Sequence, residues 1–349
     1  MRQYIKEKML AQNRKYILAY KNGCIVLKQA DGLTEIKKLR IHSQIKSISI
    51  IERLLRFEPR AAVALSDESF LYSDHGAVFE YDVNKNLTTP IHRFSKGMNN
   101  PLSFCVRRGM DGKIVEVVYG EYIWNEDKGP VSIYKYNLEE WTEVYSFPSN
   151  TVLHIHNVIY DDARNHYLIL TGDSDEESAI WEADIDFKNV KKIVGGSQKY
   201  RACIAYPTID GIYYATDTPL EQNYLYFLSN DGELKEIYRM PGPCIYGRVF
   251  NDALYMATSV EGDPTSGRWK YRLSNKLGKG VKDRKVHLIR CDNAGNVAEV
   301  GSFKKDALPM WLFQFGNALF PPANDGVYIS TQATAEKGTY KLDEGVTDE

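Results

Sequence analysis

Two histidines separated by a single residue, His154 and His156, are prominent candidates for chemistry in this sequence. Alternate side chains of a β-strand point to the same side, so both imidazoles would face one space. Such a pair could transfer protons, donate hydrogen bonds to sugar hydroxyls or bind a metal ion. Alternatively, one histidine packs against its neighbours and satisfies a buried carbonyl group. A metal ion at the pair is an alternative that we do not favour, because no third ligand follows at a fixed spacing. We therefore expect no cofactor.

Two carboxylates, Glu121 and Asp173, are the candidate catalytic acid and base that accompany the histidines. Glu121 lies in a loop with Trp124, and a buried glutamate beside aromatic rings can have a raised pKa and act as a general acid. Asp173 directly follows Gly172 at the end of an apolar run. The alternative for both is an ordinary solvated loop carboxylate.

Seven further polar residues are candidates for substrate binding: Tyr122, Asn125, Gln198, Arg201, Asp217, Tyr246 and Glu261. The planar guanidinium of Arg201 could bind the carboxylate of an acidic sugar. Alternatively, Arg201 forms a salt bridge to a loop carboxylate. By the repeat pattern, Asp217 matches Asp173 in the following repeat, and Glu261 lies near the same position one repeat later.

These candidates lie within a repeating pattern of short apolar, aromatic-rich runs separated by Gly, Asn and Asp turns. Units of four strands recur about every 40–50 residues, a spacing typical of propeller blades. The pattern predicts an all-β fold, a single β-propeller domain over residues 1–349 with seven four-stranded blades and the chain ends sharing one blade. The predicted blades start near residues 15, 61, 103, 154, 202, 245 and 311. One short segment, 45–55, could be a helix or a strand.

The propeller would place the candidates on one face. In each blade, the loop that enters the innermost strand and the loop between the second and third strands open on the same side. Binding residues commonly lie on such loops over a rigid scaffold. We therefore expect six side chains to line one mouth of the central channel: Glu121, His154, His156, Asp173, Arg201 and Asp217.

Composition excludes several classes of function. A net charge of −2 gives no attraction to nucleic acid or to an anionic membrane. The five cysteines occur singly, which argues against a disulfide framework and a thiolate metal site. The charged N-terminal segment 1–10 does not read as a signal peptide, and no apolar run has membrane-spanning length. A cytoplasmic location is the default expectation, and the alternative is a protein whose leader has been cleaved. Nothing in the sequence indicates the oligomeric state.

Turns between the predicted third and fourth strands carry a family resemblance. They read YNLEEWTEV (136–144), LSNDGELKEI (228–237) and CDNAGNVAEV (291–300), and each is similar to a degraded Asp-box, Ser-x-Asp-x-Gly-x-Thr-Trp. The chain thus resembles the sialidase-like bacterial β-propellers with such (BNR) repeats, many of them described as glycosyl hydrolases. No Arg-Ile-Pro motif of authentic sialidases occurs, so sialic acid is not the expected substrate.

The residues and the resemblance together predict a carbohydrate-active enzyme, a glycoside hydrolase or a polysaccharide lyase. Its substrate would be a bacterial glycan, and Arg201 would suit an acidic one. Two opposed carboxylates suffice for glycoside hydrolysis, whereas a lyase needs a base and a group that neutralises the uronate charge. The alternative is a non-catalytic propeller that uses the same face to bind a glycan or a protein.

Overall fold

The chain folds into a ring of β-sheets. The computed structural model describes residues 1–266 and 273–343. Within these ranges the strands form seven four-stranded antiparallel sheets. The first strands of most neighbouring sheets contact one another around a central channel. These sheets are the blades of a seven-bladed β-propeller, which confirms the predicted fold class.

Each blade follows the chain from an inner strand at the channel to an outer strand at the rim. The strands of blades 1 to 3 are Lys8–Gln12, Tyr16–Lys21, Cys24–Gln29, Glu35–Arg40; Ala62–Ala64, Ser69–Asp74, Ala77–Asp82, Leu87–Arg93; and Cys105–Arg108, Ile114–Gly120, Val131–Tyr136, Trp141–Phe147. Those of blades 4 to 6 are His154–Asp161, His166–Gly172, Ala179–Asp184, Val190–Gly195; Ala202–Thr208, Gly211–Thr216, Asn223–Ser229, Leu234–Met240; and Cys244–Phe250, Ala253–Thr258, Lys285–Asp292, Val297–Lys304.

Blade 7 joins the two ends of the chain. Its first three strands come from the C-terminal part, and its outer strand is the N-terminal segment Arg2–Ile5, which pairs antiparallel with the third strand. The predicted sharing of one blade is therefore correct. The first three strands are Asn317–Leu319, Tyr328–Gln332 and Thr339–Lys341.

The inner strands of blades 2 to 6 begin at Ala62, Cys105, His154, Ala202 and Cys244, and those of blades 1 and 7 begin several residues from the positions expected from the sequence. Blade 1 begins with the strand Lys8–Gln12, so the position predicted near residue 15 belongs to its second strand. Blade 7 begins at Asn317 rather than near residue 311. Partial repeats at both ends of the sequence carry too few strands to define their register.

Burial on both sides of each blade explains the continuous apolar runs. In the strand His166–Gly172, Tyr167 and Ile169 pack into the interface with blade 3. Leu168 and Leu170 point the opposite way, into the interface with blade 5. Among the described residues, one apolar cluster lies between every two neighbouring blades. The rigid ring formed in this way positions the loops.

The connection from blade 1 to blade 2 contains a helix, Ser49–Leu55, which resolves the ambiguity left by the sequence over 45–55. Arg53 in this helix forms an ion pair with Asp306, with Nη1 2.7 Å from Oδ2. Two 3₁₀ turns, Gln198–Tyr200 and Pro264–Ser266, lie in other connections. In the described part of the chain, no helix is both long enough and apolar enough to cross a membrane.

We call the face of the ring that carries the loops around residues 73–76, 120–130, 172–178 and 216–223 the upper face. These loops connect second and third strands. The connections that lead into the inner strands open on the same side, as the alternation of strand direction requires. The turns that resemble Asp-boxes join third and fourth strands, so they lie on the lower face.

Candidate functional site

Asp173 is the centre of a polar cluster on the upper face, where blades 4 and 5 meet the channel. Its Oδ1 lies 2.9 Å from Nη2 of Arg201, 3.2 Å from Nε2 of His156 and 3.6 Å from Nε2 of His154. The Asp173 side chain is 40% exposed, whereas the three residues around it are largely buried. Three nitrogen groups from two neighbouring blades therefore converge on one accessible carboxylate.

Local backbone structure holds the two histidines in place. The rings lie on the same side of the strand with centroids 4.9 Å apart, as the alternation predicts. A β-bulge interrupts the pairing of the strand between Ile155 and Asn157, and such bulges can redirect a side chain. Nδ1 of His156 lies 2.9 Å from the carbonyl oxygen of Ala202. A carbonyl oxygen can only accept, so Nδ1 donates to it, and Nε2 lies on the side of the ring that faces Asp173, 3.2 Å from Oδ1.

Gly172 provides the space that His156 needs. A Cβ atom at this position would lie 2.5 Å from Cε1 and 3.1 Å from Nε2 of the imidazole. It would also lie 3.3 Å from Cγ of Arg201. A residue with a side chain at position 172 could therefore not coexist with the observed cluster.

The protonation states within the cluster follow from burial and charge. Burial alone would raise the pKa of Asp173, but its contacts with His154 and His156 and the charge of Arg201 hold that pKa well below its usual range. Burial lowers the pKa of His154, despite the opposing effect of Asp173. The pKa of Arg201 is raised, because Asp173 and Asp217 outweigh its burial. At neutral pH the cluster therefore contains an ionised Asp173, a neutral His154 and a charged Arg201.

A second group of acids continues the cluster into blades 5 and 6. Oδ2 of Asp217 lies 3.9 Å from Nη2 of Arg201 and accepts a hydrogen bond from the Cys203 thiol at 3.2 Å. Glu261 accepts a hydrogen bond from the Ser259 hydroxyl at 2.5 Å. Burial and the nearby charge of Asp217 raise the pKa of Glu261 to about 7. Glu261 can therefore either donate or accept a proton near neutral pH.

Two tyrosines and an arginine form the adjoining wall of the channel. The ring of Tyr122 lies 4.5 Å from that of His154, centroid to centroid. Burial raises the pKa of both Tyr122 and Tyr246, and the charge of Arg60 partly opposes this effect in each. Arg60 therefore adds a second positive charge to the electrostatic environment of both hydroxyls.

Gln198 supports the cluster from the connection between blades 4 and 5. Its Nε2 donates a hydrogen bond to the Asp173 carbonyl at 2.8 Å. The structure thus brings together nine of the predicted site residues: Tyr122, His154, His156, Asp173, Gln198, Arg201, Asp217, Tyr246 and Glu261.

Glu121 and Asn125 lie apart from these nine. Oε2 of Glu121 accepts the backbone N–H of Ser132 at 2.8 Å, and no described hydrogen bond or ion pair joins its carboxylate to the Asp173 cluster. Asn125 closes its own loop, with Nδ2 donating to the carbonyl groups of Gly129 and Leu153 at 3.0 and 3.1 Å. Both side chains organise the loop that carries Tyr122.

The predicted match between Asp217 and Asp173 is wrong by one residue. Gly172 pairs with His154 in blade 4, and the N–H of Asp217 donates to the carbonyl of Arg201 in blade 5. Asp217 therefore occupies the position of Gly172, and Thr218 that of Asp173. The two carboxylates still meet, because both reach the guanidinium of Arg201.

Sequence reasoning missed Cys203 and Arg60. Cys203 occupies the bulge position of blade 5, as His156 does in blade 4, because the pairing shifts between Ala202 and Ile204. Aligning the segments HIH (154–156) and RAC (201–203) could have identified it. Arg60 precedes the inner strand of blade 2, and its position at the start of a repeat was the available signal.

Two sets of side chains have donor atoms close enough to share a metal ion. One consists of His154, His156 and Asp173, and the other of His156, Cys203 and Asp217; within each set the donor atoms lie within 4.8 Å of one another. In the first set Arg201 already contacts Oδ1 of Asp173. A metal ion there would compete with the guanidinium for the same oxygen.

No protein-family model matches this sequence, and no curated protein sequence matches it. Solved structures resemble the fold. An oligogalacturonate lyase from Vibrio parahaemolyticus has a TM-score of 0.59 and 12% identity, and the match covers 100% of this chain and 91% of that one. An oligogalacturonate lyase in complex with manganese has a TM-score of 0.57 and 11% identity, covering 98% and 90%. The β-propeller domain of Cps50 (Swd1) from Myceliophteria thermophila has a TM-score of 0.51 and 10% identity, covering 93% and 94%. At these identities the likeness is one of fold.

Proposed function

We propose that the protein is a carbohydrate-active enzyme that cleaves an acidic polysaccharide by β-elimination at the Asp173 cluster. The observation that carries this proposal is the combination of groups on one channel wall. The guanidinium of Arg201 acts electrostatically on both a neutral buried imidazole, His154, and a carboxyl group with a pKa of about 7, Glu261. Elimination from a uronate requires a base, an acid and a positive charge of this kind.

Each group has a role in the reaction. Nε2 of His154 lies 3.6 Å from Oδ1 of Asp173, just beyond hydrogen-bond distance, and would take the proton from C5 of the uronate. The C4–O4 bond then breaks as a C4=C5 double bond forms, and O4 leaves with the proton of Glu261. Arg201, together with Arg60, would stabilise the charge that develops on the uronate carboxylate.

Elimination suits this geometry better than hydrolysis. A glycoside hydrolase places two carboxyl groups on opposite sides of the scissile bond. Here Asp173 and Asp217 approach the same guanidinium, at 2.9 and 3.9 Å, so they share one side of the site. Glu121, the acid suggested by the sequence, caps a backbone N–H of the neighbouring strand, and we propose that it positions Tyr122.

The structural neighbours support the same class of reaction, since two of them are oligogalacturonate lyases. The resemblance to sialidase-like propellers depends only on the turns that are similar to degraded Asp-boxes. It is compatible with carbohydrate binding on the upper face. One neighbour is in complex with manganese. In this chain His154, His156 and Asp173 would hold such an ion if Arg201 moved away; the ion would neutralise the uronate carboxylate, and His154 would then be a ligand and not the base.

A substrate screen tests the proposal. The protein is incubated with pectate, alginate, glycosaminoglycans and neutral polysaccharides, once with Mn²⁺ and once with a chelator. New reducing ends and the ultraviolet absorbance of unsaturated uronate are recorded together. Both signals from a uronate polymer are the expected result. Reducing ends without unsaturation would indicate hydrolysis, and glycan binding without either signal would indicate a binding module.

Two variants then separate the roles. His154→Ala is expected to lower kcat by about a hundredfold or more, as for loss of a general base, while Arg201→Ala should mainly raise KM. His166→Ala is a matched control in the same blade, because His166 lies at the lower end of its strand and contacts Asp161. Equal losses in His154→Ala and His166→Ala would contradict the assignment of the base.

A further inference from the structure

A polar cavity of about 240 Å³ opens on the upper face beside the Asp173 cluster. Its walls come from the connection between blades 4 and 5, from the loop between the second and third strands of blade 5 and from that third strand, Asn223–Ser229. Residues that line it include Gln198, Lys199, Thr218, Glu221, Tyr224 and Tyr226. None of the reaction steps proposed above uses this cavity.

The lining has the chemistry of a sugar site. The rings of Tyr224 and Tyr226 lie 5.5 Å apart, centroid to centroid, and are inclined by 40°. Aromatic rings offer apolar faces to the C–H groups of a sugar, and hydroxyl, amide and charged groups can bind its hydroxyls. Ligand pockets for drug-sized molecules span about 300–1,000 Å³, so the smaller volume here suits a single sugar ring.

Gln198 connects the cavity to the Asp173 cluster. Its Nε2 donates to the carbonyl of Asp173 at 2.8 Å. The side chain is only 9% exposed, and Oε1 has no hydrogen-bond partner among the described residues. Gln222 differs, because its Oε1 accepts from Arg239 and its Nε2 donates to the carbonyl of Met240, both at 2.7 Å. Gln198 therefore supplies, in the wall of the cavity, a buried amide oxygen whose hydrogen-bonding capacity is unused among the described residues.

We propose that this cavity is a second subsite, which binds one sugar residue of the same uronate-containing chain that is cleaved at Asp173. The sugar ring would lie against Tyr224, and one of its hydroxyls would donate to Oε1 of Gln198. This proposal rests on the proposed function, because one and the same glycan chain would occupy both sites. Since Gln198 contacts the backbone of Asp173, occupation of the cavity would also hold Asp173 in place.

The test measures affinity as a function of chain length. Binding of oligogalacturonates and of alginate and glycosaminoglycan oligosaccharides, from disaccharide to hexasaccharide, is measured by calorimetry. In the wild type, affinity is expected to rise about tenfold once the chain reaches both sites, the gain typical of an aromatic contact with a hydrogen bond. Tyr224→Ala is expected to abolish this gain. Tyr224→Leu, which keeps apolar packing against Tyr226, is expected to do the same.

Tyr238→Ala is the matched control, because Tyr238 is a similarly half-buried tyrosine of blade 5 that packs on the opposite side, against blade 6. It should retain the full gain in affinity with chain length.

An equal gain in affinity in Tyr224→Ala, Tyr224→Leu and wild type would overturn the subsite. If cleavage occurs but its length dependence is the same in all variants, elimination stands and the subsite fails. Length-dependent binding that requires Tyr224, without cleavage, supports the subsite and refutes elimination. Absence of binding by every oligosaccharide refutes both.

Discussion

Substitution of Gly172 by alanine should disable the Asp173 cluster while the propeller remains folded. The new Cβ would lie 2.5 Å from Cε1 of His156, a separation that real Cβ atoms essentially never show. Since nonbonded carbon atoms settle at about 3.5–4.0 Å, the imidazole would have to move by about 1 Å. The polypeptide around Gly172 cannot yield easily, because its strand is paired on both sides.

A shift of that size is large compared with the contacts that hold His156. Its Nδ1 lies 2.9 Å from the Ala202 carbonyl and its Nε2 3.2 Å from Asp173, so a displacement of about 1 Å would break at least one of them. Misplacement of a reacting group by about 1 Å can reduce turnover by about a hundredfold. Overpacking at a well-packed position costs about 1–3 kcal/mol, which lowers Tm by only a few degrees in a protein of this size.

The assay compares Gly172→Ala with Gly129→Ala, a control on the same face where the nearest atom to a new Cβ, Oδ1 of Asn125, lies 3.6 Å away. Turnover of the uronate polymer, thermal unfolding and the imidazole NMR signals of His156 are recorded for both. Gly172→Ala should lose activity and shift the His156 signals, with a modest change in Tm. Unchanged His156 signals would show that the imidazole had not moved. Equal turnover in the two variants, despite shifted signals, would show that turnover does not depend on the position of His156.

Three further outcomes follow from the same geometry. In thermal melts, Glu261→Gln should stabilise the protein at pH 8 but not at pH 5. The carboxyl group of Glu261 has a pKa of about 7 when folded against an ordinary 4.5, so the folded state binds the proton more tightly than the unfolded state does. Ionisation of Glu261 therefore destabilises the fold by about 3 kcal/mol at most, an effect that is absent below pH 4.5 and complete above 7. In an NMR titration His154 should have a pKa below its ordinary 6.5, and Asp173→Asn should lower it further, since the Asp173 charge raises it; an increase would contradict the assigned contact. Deletion of residues 1–5 should lower Tm by several degrees, because it removes buried Ile5 and the outer strand of blade 7. The exposed edge of blade 7 should also promote association of the protein in size-exclusion chromatography. An unchanged Tm would argue against closure of the ring by the N-terminal strand.

The fold and the face of the site could be predicted from the sequence because both depend on simple periodicities. Four-strand repeats set the blades, and the alternation of side chains placed His154 and His156 together. The position of each loop on the upper or lower face follows from counting strands. These features need no knowledge of packing between distant residues.

The remaining details depend on one-residue choices that the pattern does not encode. Glu121 and Tyr122 are adjacent, so only one of them can face the channel; the loop turns Tyr122 toward His154 and directs Glu121 to the N–H of Ser132. Blades 4 and 5 carry their bulges at the same position, so the mismatch between Asp217 and Asp173 arises at the end of the second strand: Asp217 directly follows Thr216, whereas Gly172 separates Asp173 from Thr171. A shift of one residue exchanges the two sides of a strand, so such errors change the composition of a site.

The equivalence of the blades also explains how the cluster arose from a repeated scaffold. The position of His154 is occupied by Arg201 in blade 5 and by Pro243 in blade 6. His154 pairs with the last residue of the second strand of blade 4, and the carbonyl groups of Arg201 and Pro243 accept hydrogen bonds from the N–H groups at the equivalent point of blades 5 and 6. The bulge position carries His156 and then Cys203. Because the backbone around these positions is the same, a change of side chain alters the chemistry without altering the frame. The base, the cation and the acids of the proposed reaction can therefore come from successive blades and still meet at one side of the channel.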